Sequence, residues 1–443
     1  MTGRNQPRAA VLGVSRSIHI ARVYPDSGQA ERLDIQGHAA RGLWNLLHEW
    51  HLSCMQNGRK IPAYAEADRQ IRDARNDPPE GFEWLAKLPS QASQQVLKHY
   101  RRAWDRCFRK VSRSPRFKSR HHWRLAVDVP HAKDMRVRRL SRKWGELTAM
   151  KVGRLRFRWT RPLPGVCRGT PGRLTGARLV KEANGWHVAF RIETPNAPVP
   201  ANDRPSVGVD RGVTRTLALS DGTFHDVPAS TTAGEAKRLL RLERKAARQH
   251  RSRPRNAPAS NRLNRSYNQI AMLHARAKRR RGDWAHKVTT GISRSYGLVA
   301  VERLNIPNMT RSARGTVAEP GKNVAQKAGL NRGILGSAWG IVGDHLAYKT
   351  AREGGSLVKV PAAYTSQRCS VCGHVDPKSR KSQAEFVCTR CGWSGNADTN
   401  AAINVRSAAG QGVSPGPKAR VVHGRGAAGV ARGREASTTP DAA

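Results

Sequence analysis

The amino-acid sequence predicts an α+β protein with several domains. Stretches with helical periodicity alternate along the chain with short alternating apolar runs, and a Pro-rich segment at 195–206 (PNAPVPANDRPS) separates two such regions. A chain of 443 residues is long enough for two or three domains. Its 11 Trp, 7 Phe and 7 Tyr residues can build apolar cores, which excludes a fully disordered chain.

Two amphipathic helices are predicted in the first 111 residues. The first spans 36–57 and ends at Gly58, and the second follows Pro89 and spans 90–111. Their apolar positions, which indicate faces packed on a core, are Leu43, Trp44, Leu47, Trp50 and Leu52, then Val96, Tyr100, Ala103, Trp104, Cys107 and Phe108. The Lys and Arg residues on the other face of the second helix either contact solvent or contact nucleic acid, and their density favours nucleic acid.

Short alternating runs between 124 and 194 predict antiparallel strands, in a small barrel or a sandwich. The runs are RLAVDV, LTAMKV, RLRFRW, ARLVKE and GWHVAFRIE. Arg154, Arg156, Arg158 and Arg161 recur near Trp159 at about every second position, so one strand face is basic. That face suits a groove for nucleic acid, although a solvated face stays open as an alternative.

The second half of the chain predicts a mixture of strands and helices. Segment 206–222 (SVGVDRGVTRTLALSDG) has two apolar runs around a Gly turn, as in a hairpin, and 298–306 (LVAVERLNI) suits a buried strand. Further expected elements are a helical pair over 234–296 interrupted at 252–261, a helix over 336–354, a strand over 356–363, and a disordered tail over 407–443.

The net charge indicates a polyanionic partner. The chain carries 80 Lys and Arg against 32 Asp and Glu, a formal charge of +48. Two segments hold +32 of it: 101–161 has 21 bases and four acids, and 236–287 has 17 bases and two acids. No apolar run approaches the roughly 18 residues of a membrane span, and AAVLGV near the start is too short for a signal peptide. Nucleic acid is therefore the expected partner, with no membrane and a cytoplasmic location.

Four of the seven cysteines have the spacing of a structural zinc ribbon. Cys369 and Cys372 form one C-x2-C pair and Cys388 and Cys391 a second, 15 residues apart. Two such pairs can close a thiolate tetrahedron around one Zn²⁺, which leaves no open position for catalysis. A redox pair is the alternative, and the matched pairs argue against it. The scattered Cys54, Cys107 and Cys167 are interpreted as structural thiols.

Three carboxylates stand in apolar or Gly-rich contexts where a charge is costly. Asp210 ends a predicted strand, Glu302 lies within another, and Asp398 stands in NADTNAAINV at 396–405. An unpaired carboxylate on a buried strand costs several kcal/mol unless it is paired or bound to metal. Taken singly, Asp398 could be a helix N-cap and the other two could be ion-paired. Taken together, converging acids are typical of two-metal phosphodiester hydrolysis.

These segments resemble the three RuvC motifs of TnpB, the nuclease of insertion-sequence transposons, and of the compact type V CRISPR effectors that descend from it. The similarity covers roughly 80–405 and is densest from 206 onward. Its most specific block is AAYTSQRCSVCGHVDPKSRKSQAEFVCTRCGWSGNADTN at 362–400. The other matching blocks are LPSQASQQ (88–95), SPRFKSRHH (114–122), RRGDWAHKVTT (280–290) and GLNRGILGSAWG (329–340). The first 80 residues match only loosely, through IHIARVYPDSGQAERL (18–33).

The resemblance implies an N-terminal β-barrel with a helical insertion, followed by an RNase H-like (RuvC) α/β nuclease domain with an inserted zinc ribbon. Asp210, Glu302 and Asp398 would be catalytic and would bind two Mg²⁺. Arg211 and Arg303, which follow the first two acids, depart from many members of the family and could touch a phosphate. A guide RNA would pair with the target strand of double-stranded DNA next to a short motif that the protein reads.

The expected domain ranges follow from this resemblance. They are 1–35 and 124–200 for a barrel of the wedge type, 36–123 for the helical recognition insertion, 206–366 and 394–406 for the nuclease domain, and 367–393 for the zinc ribbon. The expected nucleic-acid contacts are Arg116, Lys118, Arg120, Arg156, Arg158, Arg280, Arg281 and Lys287. The resemblance leaves open a monomer or a homodimer, and a bacterial or an archaeal nucleoid-associated protein.

Three functional hypotheses remain at the level of sequence. The leading one is an RNA-guided DNA endonuclease encoded by a transposon or associated with CRISPR. A DNA-binding regulator that silences without cutting is the second, and the presence of all three acids argues against it. A structure-specific nuclease without RNA is the third. The +32 in two segments outside the acidic motifs exceeds what a duplex alone requires, which argues against the third hypothesis.

Overall fold

The structure is a computed structural model of the 443-residue chain, and it describes residues 13–119, 123–196, 199–254 and 257–410. The chain divides into two compact units, 1–197 (the N-terminal unit) and 198–443 (the C-terminal unit). Within the described ranges, no helix has the length and apolar character needed to cross a bilayer. The predicted tail from 411 onward lies outside the described residues, whereas 407–410 is helical, so the prediction of disorder was wrong there.

The N-terminal unit combines three helices with seven strands. Its elements are β1 (Val14–Tyr24), α1 (Ser27–Gln56), α2 (Tyr64–Asn76), a 3-10 turn (Glu83–Lys87), α3 (Ser90–Phe108), β2 (Ala126–Val129), a second 3-10 turn (Ala132–Asp134), β3 (Arg138–Arg139), β4 (Trp144–Ala149), β5 (Gly153–Arg158), β6 (Arg173–Glu182) and β7 (Gly185–Pro195). The predicted runs between 124 and 194 are thus strands, and the two predicted helices are present.

The seven strands form one antiparallel sheet in the order β2-β6-β7-β1-β5-β4-β3. Strand β1 joins its halves because its first nine residues pair with β7 and its last two with β5. The inward residues of β5 and β7, such as Phe157 and Phe190, are fully buried, and helices α1 and α3 pack in the same core. No backbone pairing of described residues joins β2 to β3, so closure into a barrel stays a prediction.

Helix α1 begins at Ser27, nine residues before the predicted start at 36. A capping box explains the earlier start, since the Asp26 carboxylate accepts from the Gln29 amide at 2.7 Å and the Gln29 side chain accepts from the Asp26 amide at 3.2 Å. Helix α2 has no counterpart among the predictions. It buries only Ala67 and Ile71, so its apolar periodicity is too weak to read from sequence.

The C-terminal unit has a mixed five-stranded sheet between helices. Its elements are β8 (Ser206–Asp210), β9 (Leu217–Leu219), β10 (Phe224–His225), α4 (Ala233–Arg251), α5 (Asn261–Ser295), β11 (Leu298–Glu302), α6 (Ile306–Met309), α7 (Val324–Gly336), α8 (Trp339–Arg352), β12 (Ser356–Val360), β13 (Glu385–Val387), β14 (Ser394–Asn396) and α9 (Ala397–Gly410). The predicted hairpin, helical pair and buried strand are present. Helices α6 and α7 are additional.

The five strands have the order β10-β9-β8-β11-β12, and β8, β11 and β12 are parallel. On one face, Val207 and Val301 pack with α5 and α8 in one core. On the other face, Ala300 packs with Val405 of α9. Strands β8 and β11 are therefore covered on both faces, which explains their nearly continuous apolar sequence.

Gly208 allows the backbone of helix α9 to pack directly against the backbone of strand β8. A Cβ at this position would collide with the carbonyl oxygen of Ala402 and lie 2.6 Å from the amide nitrogen of Arg406. Both are backbone atoms of α9, so they cannot rotate away. The absent side chain of Gly208 thus sets the distance between the first strand of the sheet and the helix that carries Asp398.

We expect Gly208→Ala to displace α9 and to lower the free energy of unfolding by about 1–3 kcal/mol, the usual cost of overpacking. Thermal unfolding of the purified variant measures this. Gly282→Ala is the matched control, because a Cβ at Gly282 of α5 meets nothing within 4 Å. That control should be neutral or slightly stabilising. Equal unfolding temperatures for the wild type and Gly208→Ala would contradict the close approach.

Strands β13 and β14 form a hairpin between the two cysteine pairs and the start of α9. Gly373 and Gly392, which directly follow the pairs, have φ of +74° and +72°, the left-handed conformation that glycine adopts without strain. The hairpin extends to Asn396, three residues beyond the expected end of the ribbon at 393.

Candidate functional site

Asp210 and Glu302 lie next to each other at the carboxyl ends of two parallel strands. Asp210 ends β8 and Glu302 ends β11, and the register pairs Val209 with Val301. Asp210 directly follows Val209 and Glu302 directly follows Val301, so the two acids occupy the next pair of facing positions on the two strands. Adjacent positions on parallel strands lie about 4.8 Å apart and share a face. The carboxyl edge of a parallel sheet is also where α/β proteins commonly bind ligands.

Asp398 reaches the site from the first turn of α9. The Asn396 side chain caps this helix, because its Oδ1 accepts from the amides of Asp398 and Thr399 at 3.0 Å each. The alternative in which Asp398 is itself the N-cap was therefore wrong. The Asp398 side chain is 6 % exposed, and its carboxylate is left for other partners.

The three acids are crowded enough to disturb the ionisation of Asp210. Burial, followed by the charges of Glu302 and Asp398, raises the pKa of Asp210 to about 7. The carboxylate oxygens of the three acids do not all lie within 4.8 Å of one another. In the described part of the chain, only the four cysteines form such a group. Neither Asp210 nor Glu302 forms an ion pair within 4.0 Å there, so the ion-pair alternative does not describe them.

Asp210 should make the metal-free protein less stable at higher pH. A pKa raised from 3.8 to about 7 means that the folded state favours the protonated acid. This contribution to stability is present below pH 4 and is lost as the pH rises through 7. We expect Asp210→Asn, which cannot ionise, to unfold at a higher temperature than the wild type at pH 8 without Mg²⁺, and with little difference at pH 4. A constant difference across this range would contradict the raised pKa.

Two arginines and a threonine surround the acids. Arg380 donates from Nη2 to Oδ1 of Asp398 at 2.9 Å and to the carbonyl of Gln383 at 3.0 Å. Arg211 donates to the backbone carbonyl of Glu302, and burial lowers the pKa of its guanidinium. Thr365 donates from Oγ1 to Oε1 of Glu302 at 2.6 Å.

The sequence interpretation missed Arg380 and Thr365 as parts of the site. Arg380 lies between the two cysteine pairs, so the ribbon itself supplies a cation to the third acid. Neither residue has a local signal in the sequence, because each meets its acid only through tertiary contacts. Arg303, by contrast, donates from Nη2 to the backbone carbonyl of Lys359 at 3.5 Å.

The four cysteines converge in the way that their spacing predicts. Their sulfur atoms all lie within 4.8 Å of one another, with 3.8 Å between Cys369 and Cys391 and 3.6 Å between Cys372 and Cys388. These separations are far from the roughly 2.05 Å of a disulfide. Backbone N–H groups, that of Cys391 foremost, lower the pKa of the Cys388 thiol to about 6. The arrangement fits a zinc ribbon with four thiolate ligands.

Two buried asparagines connect the ribbon to α9. Asn404 donates from its side chain to the carbonyls of Thr365 and Arg368 at 2.9 and 2.7 Å. Asn400 donates to Arg368 at 2.8 Å and accepts from the amide of Ser370 at 2.9 Å. The first cysteine pair is therefore linked to the helix that carries Asp398. Asn400 and Asn404 are four residues apart in an Ala-rich helix, so they lie on the same face. This spacing was the signal by which sequence analysis could have found them.

The residues expected to contact nucleic acid occupy varied environments. The Arg280 guanidinium pairs with Glu235 at 2.5 Å, Arg281 donates to Ser230 at 3.2 Å, and Lys287 pairs with Asp283 at 2.7 Å. Arg280 and Arg281 therefore connect α5 to Glu235 and Ser230, whereas the pair of Lys287 is exposed within α5 and contributes little to stability.

In the N-terminal unit, Arg156 is exposed and Arg158 lies 5.7 Å from the Trp144 ring. Arg116 is exposed, and its backbone carbonyl accepts from the Trp44 indole. The Lys118 ammonium lies against the Trp44 and Trp123 rings. Arg120 lies outside the described residues.

Two family models match the chain. A model described as a probable transposase matches residues 188–313, which include Asp210 and Glu302. A model described as Cas12f1-like, TNB domain, matches residues 339–405, which include the four cysteines and Asp398.

Several known proteins are similar over long stretches. InsQ of Escherichia coli strain K12, named as an RNA-guided DNA endonuclease, is 35 % identical over 326 residues, which is 74 % of this chain and 76 % of InsQ. A Streptomyces pristinaespiralis protein, also named as an RNA-guided DNA endonuclease, is 28 % identical over 404 residues, 89 % of this chain and 91 % of its own length. The CRISPR-associated endodeoxyribonuclease Cas12f1 of Sulfoacidibacillus thermotolerans is 47 % identical over 60 residues, 14 % of each chain.

Among solved structures, the protein chain of a Cas12f1–sgRNA–target DNA complex is similar in fold. Its TM-score is 0.52 at 15 % sequence identity, and the match covers 86 % of this chain and 82 % of the other. The likeness supports a mixed α/β fold of the Cas12 type.

Proposed function

The chain belongs to the TnpB family, and from this premise we propose that it is an RNA-guided DNA endonuclease with one catalytic centre at Asp210, Glu302 and Asp398. The observation that carries the proposal is the meeting of three acids from separate parts of the chain at one sheet edge. Burial there, followed by the charges of the other two acids, raises the pKa of Asp210. Asp210 and Glu302 are largely buried and have no ion-pairing base within 4.0 Å among the described residues, which is costly, so a function that binds cations accounts for them.

The chemistry of these residues fits magnesium. Asp210, Glu302 and Asp398 offer the hard oxygen ligands that Mg²⁺ prefers. Divalent cations would offset both the burial and the mutual repulsion that raise the pKa of Asp210. When bound, two such ions activate a water molecule and stabilise the leaving oxygen of a phosphodiester. We assign the three acids as the residues that would hold them.

Other residues orient the acids or contact the substrate. Thr365 fixes Oε1 of Glu302, and Arg211 holds the carbonyl of the same residue, so the end of β11 is constrained from two sides. Arg380 holds Asp398 and carries a guanidinium that is 23 % exposed. This cation is accessible enough to reach a phosphate oxygen while it stays in contact with the acid.

The basic segments 101–161 and 236–287 supply the charge for a guide RNA and an RNA–DNA duplex. Each phosphate contact releases counterions, so affinity falls with salt, with a slope near −0.9 per contact on duplex DNA. In this proposal, base pairing reads the target sequence, while the N-terminal unit reads a short motif beside it. The structures of Cas12f1 with guide RNA and target DNA support RNA and DNA as the partners.

The proposal is tested by reconstituting DNA cleavage with the RNA that co-purifies with the protein. The gene is expressed with its native flanking sequences, and the RNA that co-purifies with the protein is sequenced. That RNA, with its guide segment changed to match a plasmid, should direct Mg²⁺-dependent cleavage of that plasmid only. Binding without cleavage under any divalent metal would point to a regulator, and equal cleavage of branched DNA without RNA would point to a structure-specific nuclease.

A further inference from the structure

Two tryptophans of the N-terminal unit form a slot that a lysine fills. Trp44 of α1 and Trp123, which precedes β2, have nearly parallel rings, with an interplanar angle of 22° and 6.4 Å between centroids. The Lys118 ammonium lies 3.3 Å from the Trp44 ring centroid and 4.2 Å from that of Trp123. The Trp44 ring is buried, whereas Trp123 is 43 % exposed, so one wall of the slot borders solvent.

Backbone contacts hold the segment around Lys118 independently of its side chain. The Lys118 amide donates to Oδ1 of Asn45 at 2.7 Å, and the Asn45 side chain donates back to the Lys118 carbonyl at 3.2 Å. The Trp44 indole donates to the carbonyl of Arg116 at 3.1 Å. Because these bonds use only backbone atoms of 116–118, the lysine side chain can leave the slot while the segment stays in place.

The cavity next to the slot carries more positive charge than negative charge. Arg41, Arg178 and Lys118 line it with one acid, Asp128. His99 also lines the cavity, but burial lowers its pKa, so it adds little positive charge near neutral pH. The Asp128 side chain is buried. The nearest nitrogens of His99, Arg178 and Arg191 are each 3.8 Å from its carboxylate, beyond hydrogen-bond range. Burial, followed by the charge of Arg178, lowers the pKa of Lys118 to about 7. The ammonium is thus poorly stabilised where it lies, and an anionic group nearby would stabilise it.

We propose that this slot binds the base of an unpaired nucleotide between Trp44 and Trp123, while Lys118 moves out to the nucleotide's phosphate. Stacked bases are spaced about 3.4 Å apart, so a base between two rings needs about 7 Å. A small outward shift of the exposed Trp123 provides this distance. Aromatic side chains stack unpaired bases in this way in many nucleic-acid-binding proteins.

Asp128 defines which bases the slot favours. An ionised carboxylate only accepts hydrogen bonds, so it favours a base with an exocyclic amino group, namely adenine, guanine or cytosine, over uracil or thymine. The inference rests on the proposed function only in that the ligand is a nucleic acid. The unpaired base comes either from the RNA partner or from a DNA strand.

The probe is a short single strand with one 2-aminopurine, made as RNA in one arm and as DNA in the other. Full-length protein in Mg²⁺-free buffer should quench its fluorescence, because the base stacks between two indoles. Trp123→Leu keeps apolar volume but removes the ring, so it should weaken binding by roughly 5- to 150-fold, the effect of losing one base–aromatic stack of about 1–3 kcal/mol. Trp123→Phe should retain quenching.

Phe82→Ala is the matched control, since Phe82 is 37 % exposed in the same unit and should not affect quenching. Stronger quenching in the RNA arm assigns the base to the RNA partner, and stronger quenching in the DNA arm assigns it to DNA. Quenching in neither arm, or equal quenching by wild type and Trp123→Leu, would overturn the slot. If the wild type quenches neither probe but performs guided cleavage, the slot alone is rejected. If the wild type quenches but does not cleave, the proposed function alone is rejected.

Discussion

Asp210→Asn should abolish cleavage of target DNA while leaving RNA and DNA binding intact. Asparagine preserves the size of the side chain but removes the charge at the end of β8, next to Glu302. In the proposed site Asp210 would supply ligand charge to two divalent cations, so we expect its loss to lower the cleavage rate by about 1000-fold or more. Single-turnover cleavage of a guide-matched plasmid measures the rate, and electrophoretic mobility shift measures binding.

Asp344→Asn is the matched control, because Asp344 is an exposed acid on α8 in the same unit. It should cleave as the wild type does. If Asp210→Asn cleaves at a similar rate to Asp344→Asn, the assignment of the catalytic centre is wrong. If Asp210→Asn loses binding as well as cleavage, its unfolding temperature is compared with that of Asp344→Asn. A lower unfolding temperature of Asp210→Asn would show that Asp210 acts through folding.

Cys369→Ser combined with Cys372→Ser should remove zinc and cleavage together. The first cysteine pair lies beside Arg368, whose carbonyl accepts from Asn400 and Asn404 of α9. Loss of the metal frees this segment, because structural zinc supplies much of the folding energy of small ribbons. Arg380 and α9 then lose their fixed positions around Asp398. We expect zinc content to fall from one equivalent to none and cleavage to fall by at least about 100-fold.

Two variants separate the metal from its connection to α9. Cys107→Ser with Cys167→Ser changes two cysteines outside the cluster and should keep zinc and cleavage. Asn400→Ala with Asn404→Ala leaves all four thiolates but removes the bonds to the Arg368 carbonyl, so it should keep zinc and lose much of the cleavage. Retained zinc and retained cleavage in Cys369→Ser with Cys372→Ser would contradict the structural role of the ribbon.

The predicted strands and helices with strong periodicity are present, and the differences have local causes. The start of α1 was predicted too late because its capping box, Asp26 with Gln29, precedes the apolar stripe. Helix α2 was missed because it buries only two side chains. The tail was predicted to begin at 407 because an Ala- and Gly-rich run has no apolar periodicity, yet α9 continues to Gly410.

Sequence alone determined the candidate ligand sets: four cysteines at ribbon spacing, and three acids in contexts where a carboxylate is costly. These signals are local, because a C-x2-C pair or an acid at the end of an apolar strand is recognisable without its neighbours. Tertiary structure alone decided which residues the acids contact in the C-terminal unit, and how a lysine and two tryptophans pack in the N-terminal unit. Arg380 meets Asp398, Gly208 admits α9, and Lys118 enters the slot between Trp44 and Trp123. Each of these contacts depends on how separate elements pack, which no periodicity of a single element records.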